Sequence, residues 1–284
     1  MSHLKIFIDL TRLNKPIGFM LLFWPCSWGL AFANSYNNNN LLIYHLILFF
    51  IGSVLMRSAG CIFNDIVDKD IDRKVDRTKE RPIAAGKISV KQSLIYVLVL
   101  CALAFIVLIQ FNFLTIILGM SSMLLAFAYP FMKRITYWPQ LFLGLTFNWG
   151  LVMAWTSMGN SISAEIIIFY ISAIFWTLGY DTIYGIQDMS DDEIIGVKST
   201  SIKFKKNIKY FVSLAFLLTG LCMSYVFRNF LGLNLFTFLI FLFFLSLLYQ
   251  ILVFKINNSK SCLKAFKFNN VSGAIVFFSI LVTN

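Results

Sequence analysis

The sequence predicts an all-α, polytopic membrane protein with nine transmembrane helices, and three observations predict it. The 284 residues are 59% hydrophobic and 13% charged, where a soluble domain carries roughly 25% charged residues. Mean hydropathy is +0.78. Apolar stretches near the ~20 residues needed to cross a bilayer recur along the whole chain. No polar stretch is long enough to form a soluble unit, so one membrane domain is expected over residues 1–284.

The elements follow in order. Met1 to Lys15 lacks an uninterrupted apolar core and a small-residue cleavage site, and it carries Asp9 and one Arg. It reads as neither a signal peptide nor a transit peptide, but as a short helix on the cytoplasmic surface. Nine apolar spans come next, at about 16–34, 41–63, 91–110, 113–132, 137–157, 162–187, 208–227, 231–254 and 267–283. Turn formers mark their edges. The Asn37–Asn40 run ends the first span, and Asn112 separates the third from the fourth. Gly159-Asn160-Ser161 follows the fifth, Gly232 and Asn234 open the eighth, and Asn257-Asn258-Ser259 precede the ninth.

Basic residues support this count. Of the 24 Lys and Arg residues, 22 lie before span 1 or in and beside the loops after spans 2, 4, 6 and 8. Only Arg228 lies in the opposite loops, and Arg57 lies within span 2. This places the N-terminus and the basic loops in the cytoplasm and the C-terminus outside. A missed helix would scramble the pattern. The same asymmetry accounts for the net charge of +11, so no nucleic-acid partner is expected. The five cysteines form no Cys-x-x-Cys or zinc spacing, and His3 and His45 share no motif with an acid.

Eleven of the 13 acidic residues fall in two short segments, Asp65 to Glu80 and Asp181 to Glu193. Both sit on the cytoplasmic side, at the ends of spans 2 and 6. Asn64-x-x-x-Asp68 and Asp188-x-x-x-Asp192 repeat 124 residues apart, which suggests two four-helix units plus a ninth helix. On continuous helices, Arg57, Asn64, Asp68 and Asp72 fall within about 80° of one another, and Asp181, Asp188 and Asp192 within about 40°. Facing each other, the clusters would offer an amide and four carboxylates, a set suited to two Mg²⁺ ions bridging a diphosphate. Asp65, Asp70, Asp76 and Asp191 lie off the tightest face, as support or as solvated charges. Asp181 and Arg57 lie inside spans, where ionisable groups are costly and mark function; mutual pairing or snorkelling is the alternative. Tyr184, one turn past Asp181, is either a site phenol or a packing residue.

These residues resemble a family. Asn64-Asp-x-x-Asp68-x-x-x-Asp72 with Arg77-Thr-x-x-Arg81-Pro82 resembles the first signature of the UbiA superfamily of membrane aromatic prenyltransferases. Tyr180-Asp181-Thr-x-Tyr184, Asp188-x-x-x-Asp192 and Ile195-Gly196-Val-Lys198-Ser199-Thr200 resemble the second. Lys15-Pro16-Ile17-Gly18, Trp24-Pro25 and Tyr129-Pro130-Phe131-Met132-Lys133-Arg134 are similar to the branch that prenylates 4-hydroxybenzoate. Asn14 departs from that branch, which often has Asp there.

The resemblance implies a bundle with a central cavity. It also implies Mg²⁺-dependent transfer of a polyprenyl group from polyprenyl diphosphate to 4-hydroxybenzoate, ortho to its hydroxyl, early in ubiquinone biosynthesis. Asn64, Asp68, Asp72, Asp188 and Asp192 would then hold the metal. The four carboxylates and Arg134 would carry the catalysis. Arg57, Lys69, Lys133, Arg134 and Lys198 would neutralise the leaving group or bind the acceptor carboxylate. Tyr129, Asp181 and Tyr184 would line the substrate pocket, Tyr129 as a wall for the allylic cation or as plain packing. A carboxylate or the released diphosphate would take the ring proton. The apolar donor explains the setting, because each buried CH₂ is worth about 0.8 kcal/mol and the tail stays in membrane lipid. A bacterial inner membrane is expected, since a mitochondrial one would call for a presequence.

Three other readings compete. Haem, menaquinone and homogentisate prenylation belong to the same superfamily, and the Lys-Pro-Ile-Gly element argues against them. CDP-alcohol phosphatidyltransferases need an Asp-Gly-x-x-Ala-Arg element that this chain lacks. A secondary transporter would place its site near the midplane, whereas these acids cluster at one face.

Overall fold

The computed structural model describes residues 3–37 and 41–283. The expected turn at Asn38–Asn40 lies outside them. Thirteen α-helices and no strand occur among the described residues. In chain order they are α1 (His3–Thr11), α2 (Ile17–Asn37), α3 (Leu42–Val67), α4 (Lys69–Asp72), α5 (Val90–Leu108), α6 (Phe113–Ile135) and α7 (Pro139–Ser157). Then come α8 (Ala164–Gly185), α9 (Met189–Ile195), α10 (Thr200–Lys203), α11 (Ile208–Val226), α12 (Leu235–Val253) and α13 (Ser259–Leu281).

Nine of these helices run 19 to 26 residues, and each overlaps one of the nine apolar stretches of the sequence. Seven are long and apolar enough to cross a membrane by length and composition; α7 and α13 are not among them. The fold is thus an all-α polytopic membrane bundle with seven helices of evident spanning character. α7 is less apolar because it sits inside, with 12 of its 19 residues buried. A helix packed against protein on all sides needs no lipid-facing stripe.

The ninth span is corrected at its start. α13 begins at Ser259, not near residue 267. Lys260, Lys264 and Lys267 lower the hydropathy of its first turns, yet their 3–4 spacing keeps them off the face that buries Cys262, Ala265, Phe266 and Asn269.

Local chemistry explains the boundaries. The Asn side chains of the span edges are N-caps: Asn112 accepts from Thr115 N, Asn234 from Thr237 N and Asn258 from Ser261 N. Each satisfies an amide that the first turn leaves without a partner. Ser89 and Gln92 form a capping box at α5, and Ser163 caps α8.

The packing makes two rings that share the α2–α7 contact. One ring is α2, α3, α5, α6 and α7; the other is α7, α8, α11, α12, α13 and α2. The second ring is filled. Trp28 stacks near Phe169 and Trp176, and the Trp176 indole donates to Asn269 at 2.8 Å. Asn269 in turn donates to Gln250 at 2.8 Å. The first ring encloses the cavity described below.

Candidate active site

Both acidic segments leave helix ends on the same face of the bundle. α3 does not run on as one helix. It stops at Val67, Asp68 turns with φ −95°, and α4 restarts at Lys69. α8 likewise ends in a 3-10 turn, Ile186–Asp188, before α9, which Gly196 terminates at φ +80°. The helix ends therefore fold over the first ring rather than extend past it.

Ion pairs join the two segments. Arg77 donates through Nε to Asp188 Oδ1 at 2.6 Å and through a terminal nitrogen to Oδ2 at 2.5 Å. It also donates to the Tyr184 hydroxyl at 3.3 Å. Lys133, from α6, pairs with Asp68 Oδ2. Arg81 donates to both oxygens of Asp72, at 3.0 and 2.8 Å, and to Asp65 at 3.1 Å. Asp65, with its side chain 2% exposed, also takes Arg12. Arg12 is the one positive-φ residue other than glycine among the described residues, at φ +55°, a strained conformation of the kind that clusters at functional sites.

Beneath these pairs lies a cavity of about 810 Å³. Asn64, Asp68, Asp72, Lys133, Asp188 and Asp192 line its polar mouth, and Phe49, Leu108, Phe111, Trp149 and Met153 line its apolar part. Arg57, Asp181, Tyr129 and Tyr184 line it as well. No ion pair joins Arg57 to Asp181 among the described residues. The buried Arg57 Nε has no hydrogen-bond partner, and the guanidinium lies 5.2 Å from the Phe147 ring centre. Gly18 makes room for it, since a Cβ there would come within 2.9 Å of Arg57 Nε. The Tyr184 ring packs on Phe266, 4.5 Å between centres.

Three expected residues lie outside the cavity wall: Lys69, Arg134 and Lys198. Arg134 donates to the Val67 carbonyl at 2.6 Å and Lys198 to the Ile135 carbonyl at 3.1 Å, so both tie loops together. The supporting acids also divide. Asp65 is buried, whereas Asp70 and Asp76 are each 88% exposed, beside Arg73 and Lys79. Asp191 is half-buried and does not line the cavity.

The donor set suits a hard cation. Asp68 is wholly buried, yet its Oδ1 accepts no hydrogen bond, and Arg134 stays 3.6 Å away. Burial pushes the Asp68 carboxyl above the usual carboxylate range, against the pull of Lys133. A bound cation would satisfy that oxygen, with Asn64, Asp72, Asp188 and Asp192 on the same mouth. Three such groups do not converge as a ready cage among the described residues; Arg77, Arg81 and Lys133 hold Asp188, Asp72 and Asp68 instead. Asp65 was expected as support or as a solvated charge, but its contact with Arg12 gave no sequence signal, because it spans 53 residues. The Arg77-x-x-x-Arg81 spacing was visible, but not its partners.

A helical membrane bundle whose apolar cavity opens under an acidic, cation-rich mouth defines an integral-membrane enzyme of group transfer. The chain belongs to the UbiA prenyltransferase family, whose model matches residues 22–272. It is an enzyme of that aromatic prenyltransferase class. It is 39% identical to the mitochondrial 4-hydroxybenzoate polyprenyltransferase of Drosophila melanogaster, over 99% of this chain and 72% of that protein. It is 41% identical to that of Bos taurus, over 99% of this chain and 76% of that protein. Among solved structures, a UbiA homolog from Aeropyrum pernix K1 has the same fold, with TM-score 0.78 and 23% identity, over 93% of this chain and 97% of that one. A UbiA homolog from Archaeoglobus fulgidus, bound to GPP and Mg²⁺, has TM-score 0.74 and 18% identity, over 98% of this chain and 99% of that one.

These relatives correct the expected compartment. Four relatives that match nearly the whole chain are named mitochondrial, so the bacterial inner membrane is withdrawn. A targeting segment adds nothing to a membrane bundle, and the bundle therefore carries no record of its compartment.

Proposed function

We propose that the chain transfers a polyprenyl group from its diphosphate to 4-hydroxybenzoate, ortho to the hydroxyl, in an early step of ubiquinone formation. The observation that supports this most is the joining of two acidic helix ends, through Arg77 and Asp188, over one apolar cavity. The relatives' names give the acceptor.

In this reading Asn64, Asp68, Asp72, Asp188 and Asp192 would hold two Mg²⁺ ions. When bound, Mg²⁺ neutralises the diphosphate and eases its departure. Arg77 and Lys133 turn from Asp188 and Asp68 to the leaving oxygens, and Lys69, Arg134 and Lys198 add positive charge around the mouth. The prenyl C1–O bond breaks with its electron pair leaving on the diphosphate. C1 bonds to the ring carbon, which then gives its proton to a carboxylate of the mouth or to the released diphosphate. Arg57 presents its guanidinium to the acceptor carboxylate, a planar match that Lys lacks. Asp181 accepts a hydrogen bond from the acceptor hydroxyl and enriches the ring in electrons. Tyr129, Tyr184 and Phe147 face the cationic carbon, and the apolar walls keep water from it.

All nine long helices are read as crossing the bilayer, in one domain over residues 1–284. Lys260, Lys264 and Lys267 of α13 would then sit at headgroup level.

Membranes containing the chain, given 4-hydroxybenzoate and a polyprenyl diphosphate, should form the prenylated acid with Mg²⁺ and none after chelation. Product that persists without metal sinks the proposal. So does prenylation of another aromatic acceptor with 4-hydroxybenzoate left unchanged.

A further inference from the structure

Most glycines inside the long helices have a packing reason. Gly29 faces the Leu151 backbone, Gly179 faces Phe216 and Gly273 faces Trp24, and a Cβ would collide at each. Gly52 and Gly60 of α3 differ, because a Cβ on either meets nothing within 4 Å. Neither has a left-handed φ. Glycine is a poor helix former, and here no turn or neighbour demands it. Both residues line the cavity, Gly52 between Phe49 and Met56 and Gly60 between Met56 and Asn64. The cavity points to a ligand independently: Asp68 at its mouth is 0% exposed and keeps an unpartnered Oδ1.

We propose that Gly52 and Gly60 keep the α3 wall bare for the prenyl tail, and that Gly52 sets the length of tail the enzyme accepts. The proposal rests on the prenyl-donor reading above. At 1.5 Å per residue, Gly60 lies about 6 Å and Gly52 about 18 Å along α3 from Asn64. The beginning of every tail passes Gly60. A geranyl tail ends before Gly52, and a decaprenyl tail runs past it. Beyond Gly52 the Phe49 and Phe111 rings, 4.8 Å apart, narrow the cavity's apolar part. A branched side chain at residue 52 would occupy space that only a long tail needs, and one at residue 60 would obstruct every donor.

The test compares geranyl and decaprenyl diphosphate, each with 4-hydroxybenzoate, in membranes holding wild type, Gly52→Ala, Gly52→Leu or Gly60→Leu. Gly52→Leu should cut decaprenyl turnover by about tenfold or more while geranyl turnover stays within about twofold. Gly52→Ala should show the same bias in smaller measure, and Gly60→Leu should lower both donors together. The melting temperatures of the two Gly52 variants should equal or exceed that of wild type. If Gly52→Leu leaves both donors unchanged, or lowers both equally, Gly52 does not measure the tail. If wild type itself uses neither donor, the prenyl-transfer reading fails instead.

Discussion

The Arg77 guanidinium grips both carboxylate oxygens of Asp188, at 2.6 and 2.5 Å, and so joins two segments that lie 111 residues apart. Only a planar fork can make this contact. Arg77→Lys keeps the charge and loses the fork. It should lower kcat/KM for the donor by roughly 100-fold, the scale of losing one preorganised donor at a developing charge. Arg77→Lys kinetics within a few-fold of wild type would mean that the fork is structural only.

Asp68 and Asp188 come from different helix ends, and each holds a cation at the mouth. Asp68→Asn and Asp188→Asn should each reduce turnover by about three powers of ten, with the protein still in the membrane. Isothermal titration of Mg²⁺ in the presence of a non-hydrolysable diphosphate should show the affinity lost. Near-normal rates in both variants would remove these residues from the metal site.

Acid should act through the metal. Burial raises the Asp68 carboxyl above its usual range, so it takes up a proton at a higher pH than a solvated aspartate. The protonated form is stable below that value, and ionisation above it opens the oxygen to a cation. Mg²⁺ affinity should therefore rise with pH through and above the ordinary carboxylate range. Activity lost on mild acidification should return when Mg²⁺ is raised. A loss that no concentration of Mg²⁺ restores would place the titrating group elsewhere.

Gly18 gives the Lys-Pro-Ile-Gly element a physical meaning. Its missing side chain is the space in which Arg57 lies, 2.9 Å from where a Cβ would stand. Gly18→Ala should raise KM for 4-hydroxybenzoate by about tenfold and leave KM for the donor unchanged. An equal change in both constants would show a general disturbance of α2.

Asp65 does not line the cavity, but it fixes Arg12 and Arg81, and Arg81 holds Asp72. Asp65→Asn leaves the two guanidiniums without their shared charge. The Mg²⁺ concentration for half-maximal rate should rise about tenfold while kcat falls less. Removing one partner of such a buried pair is also destabilising by about 3 kcal/mol, which a lower melting temperature should reveal. An unchanged Mg²⁺ dependence would leave Asp65 with a folding role alone.

The long helices were legible because lipid selects for apolar runs, and the Asn residues at their edges were legible because they cap. The first turns of α13 were hidden because Lys260, Lys264 and Lys267 lower the hydropathy there while lying off its buried face. Asn64, Asp68 and Asp72, grouped by angle on a continuous helix, all line the cavity, although the helix breaks at Asp68. α4 turns Asp72 back toward Arg81, a contact that no angle on a straight helix foretold. The partners of the acids were the hidden part. Arg12, Arg77 and Lys133 reach their acids across 53, 111 and 65 residues, and a single sequence does not encode such distances in any local pattern.

The pairing of Asp68, Asp72 and Asp188 with the built-in cations Lys133, Arg81 and Arg77 has a consequence for selectivity. A bare cluster of carboxylates would attract calcium, polyamines and basic lipid amines indiscriminately. Here a metal arriving alone must compete with Arg77, Arg81 and Lys133, and a diphosphate arriving alone must face the acids. In the proposed reaction the two would exchange partners on arriving together, the metal with the carboxylates and the phosphates with the displaced side chains. Each ligand would then raise the affinity for the other by the same factor, and the mouth would act as a coincidence detector for a magnesium diphosphate.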